Sequence, residues 1–115
     1  MSLNYKKLKI SIITINLNNK LGLRKTLNSI KHQTYQNFQH ILVDGYSTDG
    51  SREVINENKN LFSKLIFKKG TGVYPAINQG LKKTKGDVIC LLHSGDKFSN
   101  KNVLNYFCSK NHFYN

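Results

Sequence analysis

Four times along this chain a short apolar run is followed by a stretch of helical periodicity. That alternation constrains the fold more than any other feature. Strands separated by helices of about ten residues argue for a parallel, doubly wound α/β sheet with helices on its faces. The first strand is read as Leu8–Ile15, apolar on both faces around Ile10-Ser11-Ile12-Ile13, as a central parallel strand should be. The loop Asn16-Leu17-Asn18-Asn19 follows, then Leu23, Leu27 and Ile30 at helical spacing, with Tyr35-Gln36-Asn37 closing the helix. The second strand is Phe38–Val43, ending at Asp44-Gly45-Tyr46-Ser47-Thr48-Asp49-Gly50. Asp49 reads as the N-cap of a helix that starts at Ser51-Arg52-Glu53 and is carried by Val54, Ile55, Asn58 and Leu61. The third strand is short, around Leu65–Phe67, and leads through Lys68-Lys69-Gly70-Thr71-Gly72 to the stripe Val73, Ala76, Ile77, Gly80, Leu81. Pro75 falls in the first turn of that helix, where proline is tolerated, and Lys85-Gly86 ends it. The fourth strand is Asp87–Leu92, with His93-Ser94-Gly95-Asp96 at its carboxyl end; Ser99 reads as the cap of a last helix marked by Val103, Leu104 and Phe107. Right-handed crossovers favour the strand order 3-2-1-4, which puts a ligand crevice at the carboxyl ends of strands one and four.

A chain of 115 residues has room for one domain and one core. No apolar run approaches the ~20 residues of a membrane span, and no signal-peptide h-region is present. Met1-Ser2-Leu3 resembles an expression scar and carries little weight. Eighteen Lys+Arg against six Asp+Glu give a net charge of +12, which fits an anionic partner such as nucleic acid, anionic lipid or a phosphate-rich substrate. The lysines are spread along the chain, however, and only Arg24 and Arg52 are of the type suited to bidentate phosphate recognition. Cys90 reads as a small buried hydrophobe and Cys108 lies in the last helix; neither has a partner at zinc or redox spacing, and two such thiols suit a reducing cytoplasm.

With acids this scarce, their positions are informative. Asp44 and Asp96 follow strands two and four directly, on the edge where such sheets bind ligands. Each alone is also an ordinary turn former. Together they favour a site: a carboxylate at one strand end can hold a hard divalent cation with phosphate oxygens, and one at the next can accept hydrogen bonds from a base or ribose. Competing motifs fail. There is no P-loop, no Gly-x-Gly-x-x-Gly after strand one and no Gly-x-Ser-x-Gly elbow, and His32, His40, His93 and His112 lack ligand spacing. Tyr46, Tyr74 and Phe67 read as packing rather than stacking platforms.

Five blocks in order, over about residues 9–98, resemble the inverting GT-A glycosyltransferases of bacterial polysaccharide synthesis, the family 2-like group. They are Ile10–Asn18, Leu27–Tyr35 with its Ser-Ile-x-x-Gln-Thr pattern, Val43–Ser51, Gly72–Gly80, and Gly86-Asp87 with Leu91–Asp96. The resemblance implies a Rossmann-like GT-A nucleotide-binding half that takes a sugar from a nucleotide-diphosphate sugar to an acceptor hydroxyl with inversion. It implies that Asp44 contacts the base and that Asn18 lies in the loop beneath it. It also implies that Asn16, Asn78 and Ser94 face the donor and that Asp96 binds Mg²⁺ or Mn²⁺ with the diphosphate. Departures stand at Leu17, where many members carry an aromatic, and at Gly45, Gly70, Pro75 and Gly95, where acids are common. The family's acceptor-binding half, which carries the general base, has no counterpart in residues 1–115, so the expectation is a single truncated donor-binding domain, inactive alone. Apolar Leu91, Leu92 and Phe98 near that junction predict self-association. The charge is compatible with peripheral contact with an anionic membrane at its cytoplasmic face. A non-catalytic nucleotide-sugar-binding remnant fits the same residues. A nucleic-acid-binding protein ranks below both, because no basic stripe interleaved with aromatics is present.

Overall fold

Apolar runs on both faces of the first strand require a layer on each side of it, and the fold supplies both. The structure is a computed structural model and describes residues 5–70, 72–110 and 113–114; Met1-Ser2-Leu3, Thr71 and His112 lie outside them. In chain order the elements are β1 (Tyr5–Lys6), β2 (Ile10–Asn16), α1 (Lys20–Lys31), β3 (Phe38–Asp44), α2 (Ser51–Glu57), a 3-10 turn (Lys59–Leu61), β4 (Lys64–Phe67), α3 (Val73–Leu81), β5 (Val88–Leu91), α4 (Val103–Lys110) and β6 (Phe113–Tyr114). The main sheet is all parallel in the order β4-β3-β2-β5, the expected 3-2-1-4 arrangement. β1 and β6, which the sequence reading did not anticipate, form a separate two-stranded antiparallel pair.

Alternation along β2 sorts its side chains between the two layers. Ile10 and Ile12 join Leu8, Ile30 of α1, Leu92, and Leu104 and Cys108 of α4 in one cluster. Beside it, Leu23 and Leu27 of α1 pack with Leu42 of β3 and Val54 and Ile55 of α2. Ile13 points the other way, towards α3, which lies across β2 and β3. Burial of these side chains, each contributing about 1.5–3 kcal/mol, is the main force holding the layers together.

The element ends differ from expectation for local reasons. α1 stops at Lys31, and Tyr35 and Asn37 instead bond the Leu8 carbonyl from the connection to β3. Gly50, in the left-handed region at φ +98°, takes the cap position of α2, and Asp49 supplies the hydrogen bonds from one residue earlier. Asp49 Oδ1 accepts the Ser51 N–H at 3.0 Å and the Ser51 hydroxyl at 2.6 Å, and Oδ2 accepts the Lys20 N–H at 2.8 Å. The Ser51 hydroxyl is the main cause that holds the Asp49 carboxyl below its ordinary range. α2 ends at Glu57, so Leu61 belongs to the 3-10 turn. Ser99 does not cap α4, which begins at Val103; Gln33, buried at the end of α1, does part of that work by accepting the Leu104 N–H at 3.0 Å. The α3 stripe is shallower than its periodicity implies, since only Gly80 is buried and Val73 and Leu81 are exposed. Leu92 belongs to the core and Phe98 packs against it, so of the three residues expected to offer an apolar junction only Leu91 is exposed, next to Ile89. Burial pushes the Cys90 thiol up, which makes it an inert packing residue as read from sequence.

β5 is locked to the start of β2 at Gly86. A Cβ there would lie 2.7 Å from the Lys9 carbonyl oxygen, 2.7 Å from Ser11 Oγ and 2.8 Å from the Ser11 nitrogen. Two of these are backbone atoms, one just before β2 and one within it, and cannot swing aside. Gly86→Ala is therefore expected to lower stability by about 1–3 kcal/mol. The check is a lower urea midpoint at unchanged m-value, and a midpoint equal to the parent's would show that the β2–β5 seam yields.

Candidate functional site

The carboxyl ends of β2, β3 and β5 meet at one edge. Asn16, the last residue of β2, pairs in register with Asp44, the last of β3. On the other side of β2, the chain beyond β5 continues alongside, with the Leu92 N–H bonded to the Ile13 carbonyl at 2.9 Å and the Ser94 N–H to the Ile15 carbonyl at 3.1 Å. The Asp44 loop and the Asp96 turn thus flank a single strand end, on the same edge as the sequence predicts.

Asp44 is buried and organises the first side. Its Oδ1 accepts from Asn16 Nδ2 at 2.8 Å and from Ser47 Oγ at 2.8 Å, and its Oδ2 accepts the Ser47 N–H at 2.9 Å. Ser47 Oγ also accepts the Asn18 N–H at 2.9 Å, and Asn18 Oδ1 accepts the Thr48 N–H at 2.7 Å. The loops after β2 and β3 are stapled to each other through these side chains. Asn16 Oδ1 is left buried without a partner among the described residues, although a buried amide oxygen normally has one. Asn18 (φ +47°) and Tyr46 (φ +61°) both occupy the left-handed region. Asn tolerates it, whereas for Tyr it is an outlier of the kind that clusters at functional sites. The Tyr46 ring is half exposed, tilted against Phe67 at 6.0 Å, and Arg52 lies 4.3 Å over Phe67.

Asp96 forms the second side. The turn that carries it hangs on Thr26 of α1, a residue the sequence reading passed over. Thr26 Oγ1 donates to the Asp96 carbonyl at 2.6 Å and accepts the Gly95 N–H at 2.9 Å. Asn19, the N-cap of α1, donates from Nδ2 to the Ser94 carbonyl at 3.1 Å. The sequence does hold a signal for Thr26: it is a polar residue on the buried stripe of Leu23, Leu27 and Ile30. The Asp96 carboxylate is exposed, and Oδ2 accepts the His93 N–H at 3.1 Å. Asn78 shares no side-chain hydrogen bond with either side among the described residues. It is exposed on α3 and lines a groove with Lys68, Pro75, Gln79 and Lys82.

Among the described residues no three His, Cys, Asp or Glu side chains group as a metal cage. One exposed carboxylate is a hard oxygen donor, and it suits Mg²⁺ or Mn²⁺ only where phosphate oxygens and water complete the shell. The residues therefore fit a cation shared with a diphosphate and not one held by protein alone.

A family model for glycosyl transferase family 2 matches residues 11–107. The chain belongs to that family. An uncharacterised glycosyltransferase of Mycobacterium tuberculosis is 34% identical over 96 residues, covering 83% of this chain and 37% of the relative. One from Haemophilus influenzae is 40% identical over 94 residues, covering 79% and 38%. The chain thus spans little more than a third of the length of these curated relatives. Among solved structures, Staphylococcus aureus TarS 1-349 in complex with UDP-GlcNAc superposes with a TM-score of 0.80 at 23% identity, covering 89% of this chain and 30% of that one. The Pyrobaculum calidifontis mannosyltransferase in complex with GDP-Man and Mn²⁺ gives 0.78 at 18%, covering 90% and 32%. These likenesses establish a GT-A fold for this family 2 chain.

A Cβ at Gly45 would lie 2.9 Å from Leu17 Cδ1. The aliphatic Leu17 lies over the residue that lacks a side chain, so an acid at position 45 would displace it.

Proposed function

We propose that this chain is the donor-binding portion of a family 2 glycosyltransferase, and that it binds the nucleoside diphosphate of an activated sugar across the end of β2. The observation that carries this reading is the pairing of a buried, stapled Asp44 cluster with an exposed Asp96 carboxylate on either side of one strand end. In the reading, Asn16, Asn18 and Asp44 hold the nucleoside, and the unpartnered Asn16 Oδ1 accepts an N–H of the base. Ser94 and Asn78 border the sugar-phosphate. Asp96 and the diphosphate share Mg²⁺ or Mn²⁺, which neutralises charge on the leaving group. The neighbours solved with GDP-Man and Mn²⁺ and with UDP-GlcNAc support a nucleotide sugar as ligand. Transfer to an acceptor hydroxyl with inversion, in polysaccharide or glycoconjugate synthesis, is the activity of the whole enzyme in this reading.

The residues of this chain bind rather than transfer. Of the carboxylates in the loops at the edge, Asp44 is taken by the loop cluster and the nucleoside, Asp49 by hydrogen bonds within the protein and Asp96 by the cation. None is left to deprotonate an acceptor, a contribution of about a hundredfold to ten-thousandfold.

Calorimetry with UDP and GDP, with and without Mn²⁺, tests the assignment. Mn²⁺ is expected to tighten nucleotide binding by about tenfold or more, equivalent to ~1.4 kcal/mol. Asp96→Ala is expected to abolish that gain while leaving metal-free binding in place. Superimposable titrations of parent and variant in Mn²⁺ would remove Asp96 from the site.

A further inference from the structure

The opposite edge of the sheet, at the amino ends of the strands, carries a concentration of charge that nucleotide binding does not use. Lys9, at the start of β2, Lys64, the first residue of β4, and Lys82, Lys83 and Lys85, between α3 and β5, frame one groove. All five are exposed. The rest of the lining is neutral and polar, with no acid and no aromatic ring. Asp87, at the turn beside them, accepts the backbone N–H of Lys9 at 2.9 Å, and the ion pair seen among the described residues, Arg24 with Glu57, engages none of the five ammonium groups.

The lysines are also held in place. Gln39 of β3 accepts the Lys85 N–H and the Ser11 hydroxyl through Oε1 and donates from Nε2 to the Lys83 carbonyl at 3.4 Å. The buried Ser11 Oγ accepts the Gly86 N–H at 2.8 Å, and the Lys9 carbonyl accepts the Asp87 N–H at 2.7 Å. The start of β2, β3 and the turn before β5 are thereby tied together, and β4 pairs with β3 beside them, so that five like charges share one face. Such charges repel one another, and an anionic partner relieves that repulsion.

We propose that this face docks the protein on an anionic lipid bilayer. The chemistry favours a surface of charge over a shaped ligand. Every cation is a lysine, a hydrated point charge, and none is the planar arginine that grips individual phosphates or nucleic-acid backbones. No ring is present for stacking bases, as single-stranded nucleic acid requires. Juxtamembrane lysine clusters attract anionic headgroups additively and without specific geometry. Docking by this edge leaves the Asp44 and Asp96 edge open to the aqueous side, where a nucleotide sugar arrives.

Co-sedimentation of the chain with phosphatidylcholine vesicles, with and without phosphatidylglycerol, tests the proposal. Binding is expected only to the anionic vesicles and is expected to fall steeply with salt. Lys82→Gln/Lys83→Gln/Lys85→Gln is expected to weaken it at least about tenfold, and Lys9→Gln/Lys64→Gln several-fold. The control Lys25→Gln/Lys31→Gln/Lys59→Gln removes the same charge from the α1 side and is expected to change binding less than about threefold. Thermal melts of all variants separate lost docking from lost folding. Equal losses in the two triple variants would reduce the effect to net charge and overturn the proposal. Binding to single-stranded RNA through these lysines, with the vesicles ignored, would overturn it in favour of nucleic acid.

Discussion

Asp44→Ala is expected to lower the stability of this chain by about 3 kcal/mol and to abolish nucleotide binding. Truncation leaves the Ser47 N–H and the Ser47 hydroxyl, in a buried cluster, without their acceptor, and leaves the Asn16 amide only its longer bond to Ser47 Oγ at 3.3 Å. An unsatisfied buried donor costs about 1–3 kcal/mol, and the Ser47 hydroxyl can rotate to recover part of the loss. The loops after β2 and β3 stay joined through Ser47, Thr48 and Asn18, but Ser47 loses the carboxylate that orients it. Asp44→Asn keeps the shape and one acceptor and should fall between the parent and the alanine variant. Urea unfolding gives the first effect. Nucleotide titration at a temperature where the variant is still folded gives the second. An alanine variant that unfolds early yet binds UDP or GDP as the parent does would make Asp44 a purely structural residue.

Acid is expected to destabilise the protein well above the range where its carboxylates titrate. His40 lies inside β3 with its Nε2 2.7 Å from Thr14 Oγ1 and its other ring nitrogen unpartnered among the described residues. Burial lowers its pKa from 6.5 to about 3. The folded state keeps the ring neutral while the unfolded chain takes up a proton below the ordinary value, so stability is full above about pH 6.5 and declines as pH falls towards 3. The slope is about 1.4 kcal/mol per unit, so roughly 2 kcal/mol is lost by pH 5. Melting curves from pH 7 to 5 measure it. Thr14→Val/His40→Leu, which replaces both partners with apolar groups, is expected to flatten the profile in this window; an unchanged slope would place its source elsewhere.

The sheet and its order were legible in the sequence because they follow from periodicity and crossover handedness, which local composition sets. Runs such as Ile10-Ser11-Ile12-Ile13 also announce a strand covered on both faces. What the sequence concealed was pairing at a distance. Gln33 reads as part of the first helix and of its Ser-Ile-x-x-Gln-Thr pattern, yet it lies past the end of α1 and accepts the Leu104 N–H of α4 from 71 residues away. Thr26 reads as a helix residue, yet it holds the turn that presents Asp96. Asp49 was recognised as a cap but not as the link between α1 and α2. At the candidate site, Asp44 and Asp96 stand out in the sequence because acids are few and both follow strands, and the structure puts both at one edge of the sheet. The role of Asn16 as a bridge to Asp44 depends on register between two strands, which no single strand reveals. The lysine face was hidden for the same reason, since Lys9, Lys64 and Lys85 are scattered in sequence and meet only when their strands are laid side by side.

The position of β2 also bears on how the protein is made. It leaves the ribosome well before β5, and its flank is completed only when Ile10 pairs with Val88 and Ile13 with Leu91. At ~5–20 residues per second, that interval is on the order of 4–15 s of synthesis. No hairpin shortens the wait, because every partner of β2 is parallel and reached through a helix. For those seconds a strand destined to be buried along nearly its whole length has one bare edge, the state in which nascent chains pair with one another or are held by chaperones. Yield in a cell would then depend on translation speed between residues 16 and 88 as much as on the stability of the finished fold.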